Sequence, residues 1–89
     1  MKVFKYELLD TAFQAVELPI GWKLLHVGQQ HGGICLWVLV NPKADLRSVP
    51  IRIVGTGHEI SNSHCGTFLG TVLLHDGDLV LHVFASIKS

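Results

Sequence analysis

The sequence predicts an all-β domain, a small antiparallel β-sandwich or barrel of about seven short strands, with residues 1–89 forming one unit. Three observations carry that expectation. Turn-forming residues cut the chain at short intervals, at Leu9-Asp10-Thr11, Pro19-Ile20-Gly21, His31-Gly32-Gly33, Asn41-Pro42, Gly55-Thr56-Gly57 and Asp76-Gly77. The runs between them are about five to nine residues long and rich in Val, Ile, Leu and aromatics, as strands of a sandwich are. No segment keeps the three-to-four spacing of an amphipathic helix for long. At 89 residues the chain has room for a single core.

Taken in order, strands are expected near Val3–Leu8, Phe13–Leu18, Lys23–Gln30, Gly33–Val40, Pro50–Gly55, Thr67–His75 and Asp78–Ala85. Asp45 to Ser48 is expected to make at most one helical turn. Asp76-Gly77 suits a two-residue type I′ loop, in which both central residues need positive φ. Such a loop fixes the register of the last hairpin. Leu74 then faces Leu79, Val72 faces Leu81, Gly70 faces Val83 and Phe68 faces Ala85, an apolar set that reads as core. The opposite face pairs Leu69 with Phe84, Thr71 with His82 and Leu73 with Val80, too apolar to stand free in water.

A His31-Gly32 loop treated in the same way pairs Val27 with Leu36 and Leu25 with Val38 on one face, and His26 with Trp37 and Leu24 with Leu39 on the other. Two hairpins with two apolar faces each point to burial first by a second sheet and then by a second subunit. A homo-oligomer is therefore expected, with Leu69, Leu73, Val80, His82 and Phe84 at the interface. The alternative is a compact barrel that tucks these side chains under its loops.

Composition limits the partners. Seven Lys and Arg balance seven Asp and Glu, so the formal charge is zero, which argues against gripping a nucleic acid polymer by phosphate neutralisation. Charged residues make up 16% of the chain against a usual ~25%. The longest apolar run, Ile34 to Val40, falls far short of the ~18 residues of a membrane-spanning helix. Lys2, Lys5, Glu7 and Asp10 interrupt the N-terminus, so a secretory leader is not expected. Cys35 and Cys65 allow one bridge at most, and both are read as reduced thiols in a cytoplasm.

The strongest local pattern for binding is Gly55-Thr56-Gly57-His58, with Arg52 three residues upstream. Glycines around a hydroxyl let backbone N–H groups point outward, a geometry able to cradle a phosphate or carboxylate, and Arg52 could add a bidentate donor. A plain glycine turn leaving a strand fits the same residues. The polar stretch Ile60 to Gly66 could contribute His64 from a loop, or be simply solvated. Trp37 and Trp22 are stacking surfaces if exposed and packing if buried. Lys2, Lys5 and Lys23 read as solvated rather than as a basic site.

Six histidines raise the question of a metal at His58, His64, Cys65, His75 or His82, but no Cys-x-x-Cys, His-x-x-x-His or His-Glu-x-x-His spacing is present, so no metal and no cofactor is expected. A Cys65 nucleophile with His64 or His58 as base would need an activating environment that a sequence does not display. No pair of carboxylates is spaced for acid–base work, so no catalytic residues are assigned.

Lys5-Tyr6-Glu7, Glu17-Leu18-Pro19 with Gly21, Cys35-Leu36-Trp37 leading to Val40-Asn41-Pro42, Gly55-Thr56-Gly57-His58, Leu69-Gly70-Thr71 and His82-Val83-Phe84 together resemble a family of short bacteriophage and prophage proteins known mainly as a domain of unknown function. The likeness runs along nearly the whole chain and departs at Glu59 to Thr67. It implies a leaderless phage product working in a host bacterial cytoplasm, and brings no site residues. In that context the expected function is a non-enzymatic, homo-oligomeric binding module that sequesters a small nucleotide-derived immune signal as an anti-defence sponge. Arg52, Gly55, Thr56, Gly57, His58, His64 and Trp37 are the candidate ligand contacts. The alternative is an interaction factor that blocks a host or defence protein through apolar sheet faces, and a small hydrolase of the signal ranks third.

Overall fold

A computed structural model describes residues 1–60 and 66–86. Seven strands follow one another, β1 (Lys2–Glu7), β2 (Phe13–Pro19), β3 (Lys23–Gln30), β4 (Gly33–Val40), β5 (Leu46–Gly55), β6 (Thr67–Leu74) and β7 (Leu79–Ala85). They form two antiparallel sheets, one of three strands in the order β1-β4-β3 and one of four in the order β2-β5-β7-β6. Among the described residues no helix is long and apolar enough to cross a membrane.

Alternation decides which side chains face inward. In β1, Phe4 and Tyr6 turn in while Lys5 and Glu7 turn out, and in β2 Val16 and Leu18 turn in while Glu17 turns out. The two inner faces meet in one core whose fully buried members include Leu18, Leu36, Val38, Val40, Ile51 and Val83. β3 and β6, edge strands of different sheets, lie against each other and form a seam along one side of the sandwich.

Both tight turns have the hand that a right-twisted hairpin requires. His31 and Gly32 sit at φ 54° and 81°, and Asp76 and Gly77 at 57° and 93°, with the Asp78 N–H donating to the His75 carbonyl at 3.1 Å. His75 also takes a positive φ, 52°, so the strands stop at Leu74 and Leu79 instead of reaching His75 and Asp78, and a 3-10 turn over His75–Gly77 replaces the expected two-residue loop. The pairs Leu74 with Leu79, Val72 with Leu81, Gly70 with Val83 and Val27 with Leu36 stand in the expected register. Each register then slips by one residue farther from its turn. A bulge at Leu25 sets Leu24, not Leu25, opposite Val38, and a bulge at Leu69 sets Phe68 opposite Phe84 rather than Ala85.

Two further expectations are corrected. Asp45 to Ser48 makes no helical turn, because β5 begins at Leu46 and pairs with β2 through Leu46–Pro19, Arg47–Leu18 and Ser48–Glu17. The outer face of the three-stranded sheet is screened by its own side chains. There Trp37 stands between Lys5 and His26 at paired positions, with the His26 ring 5.6 Å from the indole. The outer face of the four-stranded sheet exposes the larger apolar set, with Phe13 67%, Phe68 54% and Leu73 59% exposed, while Val3 at 55% stands on the other sheet beside Lys5.

Candidate functional site

The Gly55–His58 turn forms where β5 ends, and its conformation explains its glycines. The His58 N–H donates to the Gly55 carbonyl at 3.1 Å, and Gly57 takes φ 87° in the third position, as a type II turn demands. This closure uses two of the donors that an anion cradle would draw on. The Thr56 N–H is bonded to the Val80 carbonyl at 3.3 Å, and the His58 N–H is spent inside the turn. Arg52 lies one residue pair away on the outer face, its guanidinium carbon 4.6 Å from the centre of the Phe13 ring, a cation–π contact. A dent of about 200 Å³ does open beside the turn, lined by Val54, Gly55, Thr56, His58, His82 and Phe84, and its walls are almost wholly apolar.

Trp37 is not brought to this turn. It alternates with the fully buried Leu36 and Val38, so it faces outward from the three-stranded sheet, while Arg52 alternates with the buried Ile51 and faces outward from the other. The two therefore lie on opposite sides of the sandwich. His64 and Cys65 lie outside the described residues. Among the interface candidates, Leu73, Val80, His82 and Phe84 share the outer face of the four-stranded sheet, but the bulge turns Leu69 inward to pack on the core, and Phe68 takes its place against Phe84 with ring centres 5.4 Å apart. His82 is bonded at both ring nitrogens, Nε2 to the Thr56 hydroxyl at 2.8 Å and Nδ1 to the Thr71 hydroxyl at 2.9 Å.

The larger opening lies elsewhere, at the end of the sandwich where the seam strands begin. A groove of about 840 Å³ runs between the Ile20–Leu24 segment, Arg47 to Pro50 of β5, Thr67 to Leu69 of β6, and Ser86. Its position follows from the bulges. Leu25 and Leu69 lie on the two strands that meet at the seam, and a bulged strand bends, so the ends of β3 and β6 before the bulges part instead of closing over the core. The lining of the groove includes two aromatic residues, Trp22 and Phe68, two cationic ones, Lys23 and Arg47, and three that bear hydroxyls, Ser48, Thr67 and Ser86. Among the described residues the single ion pair is Lys5 with Glu7 at 3.7 Å, so neither Lys23 nor Arg47 is paired with a described carboxylate. Such a volume falls within the ~300–1,000 Å³ typical of small-molecule sites.

Sequence reasoning missed this set because each member is ordinary where it stands. Lys23 opens a strand, Arg47 sat in an expected helical turn, and Phe68 was assigned to the core. The one signal that could have found it is Trp22-Lys23 directly after the Gly21 turn, an aromatic and a cation at the mouth of a hairpin.

The fold is a small all-β sandwich with a groove at one end. The chain belongs to the family described as Domain of unknown function (DUF7352), whose model matches residues 1–89. No curated protein and no solved structure matches it.

Proposed function

We propose that this protein is a non-enzymatic binding module that holds a small, anionic, ring-bearing ligand of the nucleotide type in the groove between Trp22, Arg47 and Phe68. The observation that carries the reading is that two aromatic residues, two cationic residues and three hydroxyl-bearing residues line one opening. Rings offer stacking surfaces to a flat base, and the guanidinium and ammonium groups offer charge-assisted bonds to phosphate. A chain of zero net charge has no overall field to draw an anion in, so recognition has to be local. In the phage setting that the sequence resemblance implies, the ligand would be a nucleotide-derived signal of bacterial immunity, sequestered in the host cytoplasm without chemistry.

Calorimetry with cyclic dinucleotides and cyclic ADP-ribose isomers tests this. Arg47→Ala should weaken binding tenfold to a hundredfold, the equivalent of a charge-assisted bond of about 1.5–3 kcal/mol. Trp22→Ala should weaken it comparably, while Arg52→Ala should leave it unchanged. Silence from every such ligand at millimolar concentration overturns the reading.

A further inference from the structure

We propose that the outer face of the four-stranded sheet is the interface of a symmetric homodimer, two copies stacked face to face about a two-fold axis that runs along the strands between β5 and β7. Phe68 borders both the groove and this face, whereas Phe13, Arg52 and Leu73 belong to this face alone, so variants of those three test the dimer apart from the ligand reading.

The register places one row of side chains across all four strands. Phe13 of β2 pairs with Arg52 of β5, Arg52 with Phe84 of β7, and Phe84 with Phe68 of β6. Next along the strands come Val54, His82 and Thr71, followed by Val80 and Leu73. More than half of the surface of Phe13, Phe68 and Leu73 stays in solvent, a contiguous apolar patch of the kind that marks an association site. Glu17 and Arg52 are the acidic and basic residues that the strands place on this face, one of each sign.

The order of the row selects the partner and the axis. Read from either end it is aromatic at both margins, with one arginine and one phenylalanine between them. A two-fold along the strands lays the row on its own reverse, so Phe13 meets the partner's Phe68 and Arg52 meets the partner's Phe84. Every ring then meets a ring or a guanidinium, both favourable. A two-fold along the row would instead press Arg52 onto the partner's Arg52, burying like charges. A second copy therefore supplies what the face lacks. Four strands about 4.8 Å apart and about six residues long at about 3.4 Å each give a flat footprint of roughly 400 Å², enlarged by the protruding rings. Standard interfaces bury about 800 Å² per partner, so the dimer is a small one whose assembly depends on concentration.

Light scattering and sedimentation of the full chain from about 1 to 200 μM test this. The expected result is a concentration-dependent dimer that is lost in Phe13→Ser and in Leu73→Lys, whose side chains are exposed enough for the fold to survive, and retained in Val3→Lys on the other sheet. The axis is tested in a Cys65→Ser background. Phe13→Cys combined with Phe68→Cys should be linked between chains by a bis-maleimide reagent spanning about 10 Å, the separation of two facing sheets, while three strand spacings, about 14 Å, separate the two cysteines within one chain. Neither single cysteine variant should link. A chain that stays monomeric throughout, a dimer indifferent to Phe13→Ser and Leu73→Lys, or a linked dimer from Phe13→Cys alone overturns the proposal. A monomer whose Leu73 face instead binds a host protein overturns it in favour of a foreign partner.

Discussion

Gly70 of β6 sits so close to Val27 of β3 that a Cβ on the glycine would lie 3.1 Å from the valine Cβ and 3.3 Å from its Cγ2. This close approach joins the two sheets at the seam, and it lies just past the bulge at Leu69. The sandwich closes there because the glycine offers bare backbone for Val27 to rest on.

Gly70→Ala should therefore destabilise the fold by about 1 kcal/mol, overpacking outweighing the gain expected from replacing a strand glycine. Denaturant melts of Gly70→Ala, Val27→Ala and the double variant check it. The double variant should be more stable than the two single losses summed, because the alanine at 27 makes room for the new methyl. Additive losses would mean that the seam does not depend on this contact.

Gly57 is constrained by its backbone alone. At φ 87° it occupies a region that L-residues enter reluctantly, while nothing lies within 4 Å of the Cβ it lacks. Gly57→Ala should cost about 1–2 kcal/mol of stability. Affinity for a ligand held in the groove should not change, since the turn lies outside it. A loss of affinity in folded Gly57→Ala would restore the turn as a binding element.

Burial lifts the Tyr6 phenol above its ordinary value of 10.0. The folded chain thus holds this proton more tightly than the unfolded one, so the associated stability is complete below pH 10 and drains away as pH rises through the folded value. Urea midpoints measured between pH 9 and pH 11.5 should fall more steeply for the native chain than for Tyr6→Phe. Parallel profiles for the two would remove Tyr6 as the cause.

The parts of this fold that were legible in the sequence are those set by neighbours in the chain. Asp76-Gly77 and His31-Gly32 announce their turns, and counting outward from each gives correct pairs as far as Gly70 with Val83 and His26 with Trp37. Counting fails at Leu25 and Leu69, because both bulges lie on strands that meet across the seam, a contact between segments some forty residues apart. The groove was hidden for the same reason. Trp22, Arg47 and Phe68 come from three elements and converge only after those strands bend. The Gly55–His58 turn drew attention because its pattern is local. The Val80 carbonyl that engages the Thr56 N–H arrives from another strand and cannot be read beside it.

The imidazole of His82 ties three strands together, since Thr56 follows β5, Thr71 belongs to β6, and His82 to β7. In its neutral form one ring nitrogen donates and the other accepts, so one threonine hydroxyl must accept while the other gives its hydrogen. The two tautomers differ in which threonine donates, and moving from one to the other reverses the direction of both bonds, with the protons exchanged through solvent. The sheet face carries a polarity that can be inverted with no heavy atom displaced, so a neighbour able to sense the direction of the Thr71 hydroxyl would also sense which way the Thr56 hydroxyl points.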